Sequence, residues 1–205
     1  AVGSTLALLA IIGTAFQSGA EHERFDTLTV ERLNIVEPNG QKKMVLANTK
    51  RMPDVVLEDG TVLRERSGEP GSAGGLLFYN SIGEEAGGLI YSSLAGVDPE
   101  TGDSTYRANG QISFDQFRND QVVDLGYTDS GETREAGLTV TDRSIEYTHG
   151  RLHDLIERMQ SASGATKDSL RRRFRDLKQS GRIGAYRVFV GSDRQHDAVV
   201  RLNDR

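Results

Sequence analysis

The chain has 205 residues, of which 36% are apolar and 27% charged, with a formal net charge of −5 and no cysteine. That length allows one domain of ordinary size or a domain with an appendage. Disulfides, thiolate metal sites and lipid-modified cysteines are excluded, and the acidic balance argues against a general nucleic-acid binder.

There is no tryptophan, so a core must be built chiefly from Leu, Val and Ile. The 23 glycines favour tight turns over long helices. Charge is unevenly spread. Residues 161–187 hold eight Lys and Arg against two Asp, which leaves −11 on the rest of the chain.

Residues 1–16 read AVGSTLALLAIIGTAF and carry no charge. A signal peptide has an apolar core of about 7–15 residues and a small-residue cleavage site, which Ser18-Gly19-Ala20 would supply. A membrane span needs about 20 apolar residues, so this run is at the short edge. The abrupt change to Glu21, His22, Glu23 and Arg24 suits an interface crossing. The expectation is an apolar helix that anchors the chain through Leu6, Leu8, Leu9, Ile11, Ile12 and Phe16. Residues 21–50 hold five acidic and five basic side chains, so flanking charge sets no orientation.

From residue 27 to residue 143 the pattern is strand, turn, strand. Leu28 and Val30 alternate with polar residues, Leu33 and Ile35 continue in the opposite phase, and a β-bulge is expected at Glu31-Arg32. Pro38-Asn39-Gly40, Glu58-Asp59-Gly60 and Asp129-Ser130-Gly131 read as hairpin turns. Leu76-Leu77-Phe78-Tyr79 and Leu89-Ile90-Tyr91 are continuous apolar runs. They predict adjacent antiparallel strands, central in the sheet and buried on both faces. Ile112 and Phe114, then Val123, Leu125 and Tyr127, then Leu138 and Val140 alternate as half-buried strands.

Helical spacing begins after Arg143. Leu152, Leu155, Ile156 and Met159 share one face; Thr166 is the expected cap of a second helix with Leu170, Phe174 and Leu177 inward and Gly181 as its stop. Tyr186, Val188 and Val190 then pair with residues 198–202 in a hairpin that extends the main sheet or joins another subunit. The chain thus divides into an anchor or signal segment (1–20), a β-rich domain (21–143), a helical hairpin with a basic second helix (144–181) and a β-hairpin (182–205). The fold class is mainly β: an antiparallel hairpin meander, open barrel or solenoid-like stack, with an N-terminal hydrophobic helix and a helical pair near the C-terminus.

Arg32-Leu33-Asn34-Ile35-Val36-Glu37-Pro38-Asn39-Gly40, Gly75-Leu76-Leu77-Phe78-Tyr79-Asn80, Ser113-Phe114-Asp115-Gln116 with Asp120-Gln121-Val122-Val123, Ala136-Gly137-Leu138-Thr139-Val140-Thr141-Asp142-Arg143 and Arg187-Val188-Phe189-Val190-Gly191 occur together. In these segments the chain resembles an uncharacterised family of bacterial membrane-anchored or exported β-rich proteins with an N-terminal hydrophobic leader. The resemblance implies location and architecture but no catalytic residues.

Chemistry is sparse. His149 and His153 are four apart, but Gly150 stands where a zinc protease needs its glutamate, so even with Asp154 they read as surface histidines. Asp98, Glu100 and Asp103 miss the calcium-loop spacing and read as a solvated turn. Asp115, Asp120 and Asp124 could serve acid–base work, although turn chemistry accounts for the first two. No catalytic, cofactor or metal residue is assigned. Arg171, Arg172, Arg175 and Lys178, with Arg173, make the second helix basic and suit lipid headgroups or an acidic partner. The expected function is a non-enzymatic, membrane-tethered structural or interaction module, an accessory subunit of a larger membrane assembly. Its partners are lipid and protein rather than nucleic acid, and its β domain is extracytoplasmic (periplasmic) on a single-pass anchor. An exported binding or adhesion protein is the alternative, and a carboxylate-dependent hydrolase a distant third.

Overall fold

The computed structural model describes residues 24–66 and 68–204. The anchor residues Leu6, Leu8, Leu9, Ile11, Ile12 and Phe16 lie outside them. Residues 24–30 group with the N-terminal unit and have no regular secondary structure, so the alternation at Leu28 and Val30 makes no strand. Among the described residues no helix is long and apolar enough to cross a membrane.

Residues 31–204 form a nine-stranded antiparallel meander. Its strands lie in the order β1 (Arg32–Val36), β2 (Lys42–Ala47), β5 (Gly74–Tyr79), β6 (Glu85–Val97), β7 (Ser104–Asp115), β8 (Gln121–Asp129), β9 (Arg134–Asp142), β10 (Ala185–Ser192) and β11 (Ala198–Leu202). A small hairpin, β3 (Val55–Val56) and β4 (Val62–Arg64), is inserted after β2, and helices α1 (His149–Ser161) and α2 (Gly164–Gln179) come between β9 and β10. The sheet is open and forms neither barrel nor solenoid. The C-terminal hairpin extends it by pairing β10 with β9.

Local chemistry accounts for the connections. Gly40 takes φ +83° in the β1–β2 turn and the Asn39 carboxamide accepts from the Gln41 N–H at 3.0 Å. Asp59 and Asp129 close their turns in the same way, onto the N–H groups of Thr61 and Gly131. The bulge near β1 sits between Ile35 and Val36 rather than at Glu31-Arg32, because Leu33 through Ile35 keep an unbroken register with β2. Helix α2 starts at Gly164 behind Ser163, two residues ahead of the expected Thr166 cap. It ends in a Schellman turn: Gly181 at φ +67° donates to the Lys178 carbonyl and Arg182 to that of Leu177.

Only eight apolar residues are buried among those described, and they form two small cores. One gathers Val45, Ala47, Met52, Leu77 and Tyr79 on one face of the β2–β5 region, with Ile90 packed against it. The other joins Tyr147, Leu155 and Leu177 with Leu170, Phe174 and Ile183, so the inward stripe of α2 is as its spacing predicts. Strands β5 and β6 are adjacent and antiparallel, with Leu76 opposite Leu89. They are not buried on both faces, however: Leu77 is buried, whereas Leu89 and Tyr91 are half exposed. The helices and the small hairpin leave that second face open.

Candidate functional site

Directly paired residues of an antiparallel ladder point to the same face. Following the register across the sheet therefore gives one row of side chains with one member per strand: Leu33, Leu46, Leu76, Leu89, Ile112, Leu125, Leu138, Val190 and Val200. Every rung is aliphatic, and all but Leu76 are exposed. At a strand spacing of about 4.8 Å the row is about 40 Å long.

Two flanking rows widen it. On one side lie Ile35, Met44, Phe78, Gly87, Phe114, Val123, Val140, Val188 and Leu202. Phe78 and Phe114 stack there, their ring centroids 6.3 Å apart and planes 2° from parallel, across the strand that carries Gly87. On the other side Tyr91 and Tyr127 flank Gly110, where a Cβ would come 3.2 Å from the Tyr127 ring and 3.3 Å from that of Tyr91. Together with Leu89, Ile112 and Leu125 they ring a shallow apolar depression of about 350 Å³. No charged residue falls in these three rows. One step beyond Tyr127, Asp129 and Arg134 pair at 2.8 Å, and one step beyond Val140, Asp142 pairs with Arg187 at 2.7 Å.

The opposite face has another character. Its middle carries Arg107, Asn109, Gln111, Ser113, Asp124, Glu135 and Thr139, with an open polar groove of about 670 Å³ beside Arg107, Asn109, Thr128 and Arg194. Of the three candidate carboxylates, Asp115 and Asp120 come together near Glu85 and Arg143, with Asp120 and Arg143 paired at 3.2 Å. Asp124 is held apart, opposite Ser113, and only burial raises its pKa. Asp115 has one carboxylate oxygen buried without a hydrogen-bond partner. Burial, then Asp120 and Glu85, push its pKa up to about 7 against the pull of Arg143.

This carries a stability consequence. An unfolded Asp115 releases its proton near pH 4, the folded one near 7, so its stabilising contribution is complete below about pH 4 and lost as pH rises to 7. Asp115→Asn, neutral throughout, is therefore expected to leave stability unchanged near pH 4 and raise it by about 1–2 kcal/mol near pH 8, a figure discounted for partial solvent access. Urea midpoints at the two pH values check this, and an equal change at both would show that Asp115 titrates as in water.

The remaining candidates separate. His149 is part-buried rather than a free surface group. Its backbone N–H donates to the Arg118 carbonyl at 3.0 Å, and burial lowers the pKa of its ring. His153 turns instead to Glu157 at 3.4 Å. Asp98 accepts from the N–H groups of Glu100 and Thr101, the turn role expected of it. Arg171, Arg172, Arg173, Arg175 and Lys178 are all exposed on α2, and none has an ion-pair partner among the described residues.

The aliphatic row was not identified from the sequence, although its signal is there. Nearly every sheet strand holds an apolar pair at i and i+2, such as Met44 and Leu46 or Ile112 and Phe114. Register alone shows that all of them share a face. Compared with known protein families, curated proteins and solved structures, the chain matches none.

Proposed function

We propose that this chain is a non-enzymatic, membrane-tethered interaction module, an accessory subunit that docks protein on the uncovered apolar face of its sheet. The observation that carries the reading is the unbroken nine-strand aliphatic row. From the exposures of its members and neighbours, the uncharged face presents on the order of 1,000 Å² of apolar side chain, about twice the largest patch of an ordinary monomer. Layered domains bury such a face against a second layer, and this chain supplies none from its described residues. The cations of α2, which have no ion-pair partner among the described residues, support the tether, since each is worth about 1 kcal/mol beside anionic headgroups. The anchor itself rests on the uncharged run of residues 1–16.

The test uses the full chain, extracted from membranes in mild detergent. Leu125→Asp and Leu89→Asp place charge on the face, whereas Thr128→Asp does so on the opposite one. The two leucine variants are expected to run at a lower assembly mass than wild type, with thermal midpoints within a few degrees of it, because these side chains already meet solvent. An unchanged mass in both would overturn the docking role of the face. Release of wild type by a carbonate wash would overturn the tether.

A further inference from the structure

We infer that the layer covering this face is a second copy of the chain, packed face to face as an isologous two-sheet sandwich. The inference rests on the proposed docking role and names its occupant.

Size is the first support. On the order of 1,000 Å² of apolar side chain per copy exceeds the about 800 Å² per partner of a standard stable interface. Composition is the second. A two-fold contact sets each residue type against the same surface, so any charge within it would be repeated by symmetry. The three central rows contain no charge, and the adjoining Asp129 and Arg134 are already paired. Relief is the third. Stacked sheets lie about 10 Å apart with interdigitating side chains. The apolar depression around Gly110, bounded by Tyr91 and Tyr127, is a hole that an aliphatic rung of the opposing sheet can enter.

Symmetry fixes where the copies meet. Strand β7 is fifth of nine in the sheet, and its rung in the aliphatic row is Ile112. If the whole row is covered, the two-fold axis passes at Ile112, which then faces its own symmetry mate. The chain has no cysteine, so a single introduced thiol reports this contact without background.

The experiment introduces Ile112→Cys, and separately its β7 neighbour Gln111→Cys on the opposite face, into the full chain and oxidises each in native membranes and in mild detergent. Most of the Ile112→Cys chain is expected to become a covalent dimer, whereas Gln111→Cys stays monomeric. Ile112→Asp is expected to weaken self-association by about a hundredfold, as read by sedimentation. Equal dimer yields from both cysteines would overturn the inference, since they report random collision. So would no dimer from Ile112→Cys. If Leu125→Asp nevertheless lowers the assembly mass, the face binds something else, a different protein or this chain's own residues 1–16, and only the identity of the occupant falls. If the mass is also unchanged, the docking role falls with it.

Discussion

Gly87→Ala is expected to destabilise the protein by about 3–5 kcal/mol, whereas Gly40→Ala should cost about 1 kcal/mol. Both glycines have positive φ, +114° and +83°, so both substitutions meet backbone strain. They differ in surroundings. A Cβ at Gly40 would meet nothing within 4 Å. At Gly87 it would lie closer than 3.0 Å to the backbone carbonyl of Ser113, on the neighbouring strand. A backbone oxygen cannot rotate away as a side chain can, so β6 and β7 must separate there. Gly87 also lies opposite Phe114 and beneath the Phe78–Phe114 stack. The damage should therefore extend to the apolar face, and the near-ultraviolet phenylalanine bands should weaken with the urea midpoint. Equal losses for the two variants would mean that only φ matters at Gly87.

The same glycines mark how far the sequence could be read. The turns were legible because Asn39-Gly40, Asp59-Gly60 and Gly131 act within a few residues, and their chemistry is complete there. The α2 stripe was legible for the same reason, since Leu170, Phe174 and Leu177 are placed by helical spacing alone. Burial was not legible. Leu76 to Tyr79 and Leu89 to Tyr91 predict strands hidden on both faces, since an apolar run normally signals two covering layers. Here one face of those strands is covered by a small core around Leu77 and the other by nothing in the described chain. A run of apolar residues records that two faces avoid water. It does not record what supplies the second cover. The pairing of Asp115 with Asp120 was legible as a hairpin, but the burial that chiefly raises the pKa of Asp115 was not, and Glu85, which adds to it, lies on a strand 30 residues earlier in the chain.

That neighbourhood holds the second large effect. Arg66, in the segment after β4, donates two hydrogen bonds to the Glu85 carboxylate at 2.9 and 3.1 Å, and both side chains are largely buried, at 12% and 17% exposure. Its guanidinium also donates to the Pro53 carbonyl, and its backbone N–H to the Asp54 carboxylate at 2.7 Å. One side chain thus ties the small β3–β4 hairpin to the start of β6. Arg66→Met should cost about 3 kcal/mol, because it leaves Glu85 desolvated without its cation. Glu85→Leu alone should cost about as much by stranding the cation. The pair itself need not be strongly stabilising, since desolvating two charges offsets most of their attraction. Arg66→Met combined with Glu85→Leu should therefore recover about half or more of either single loss. Urea unfolding of the four proteins closes the cycle. Additive losses in the double variant would show that the two residues act separately, Arg66 through Pro53 and Glu85 through the sheet, and that the buried pair does not join the hairpin to the meander.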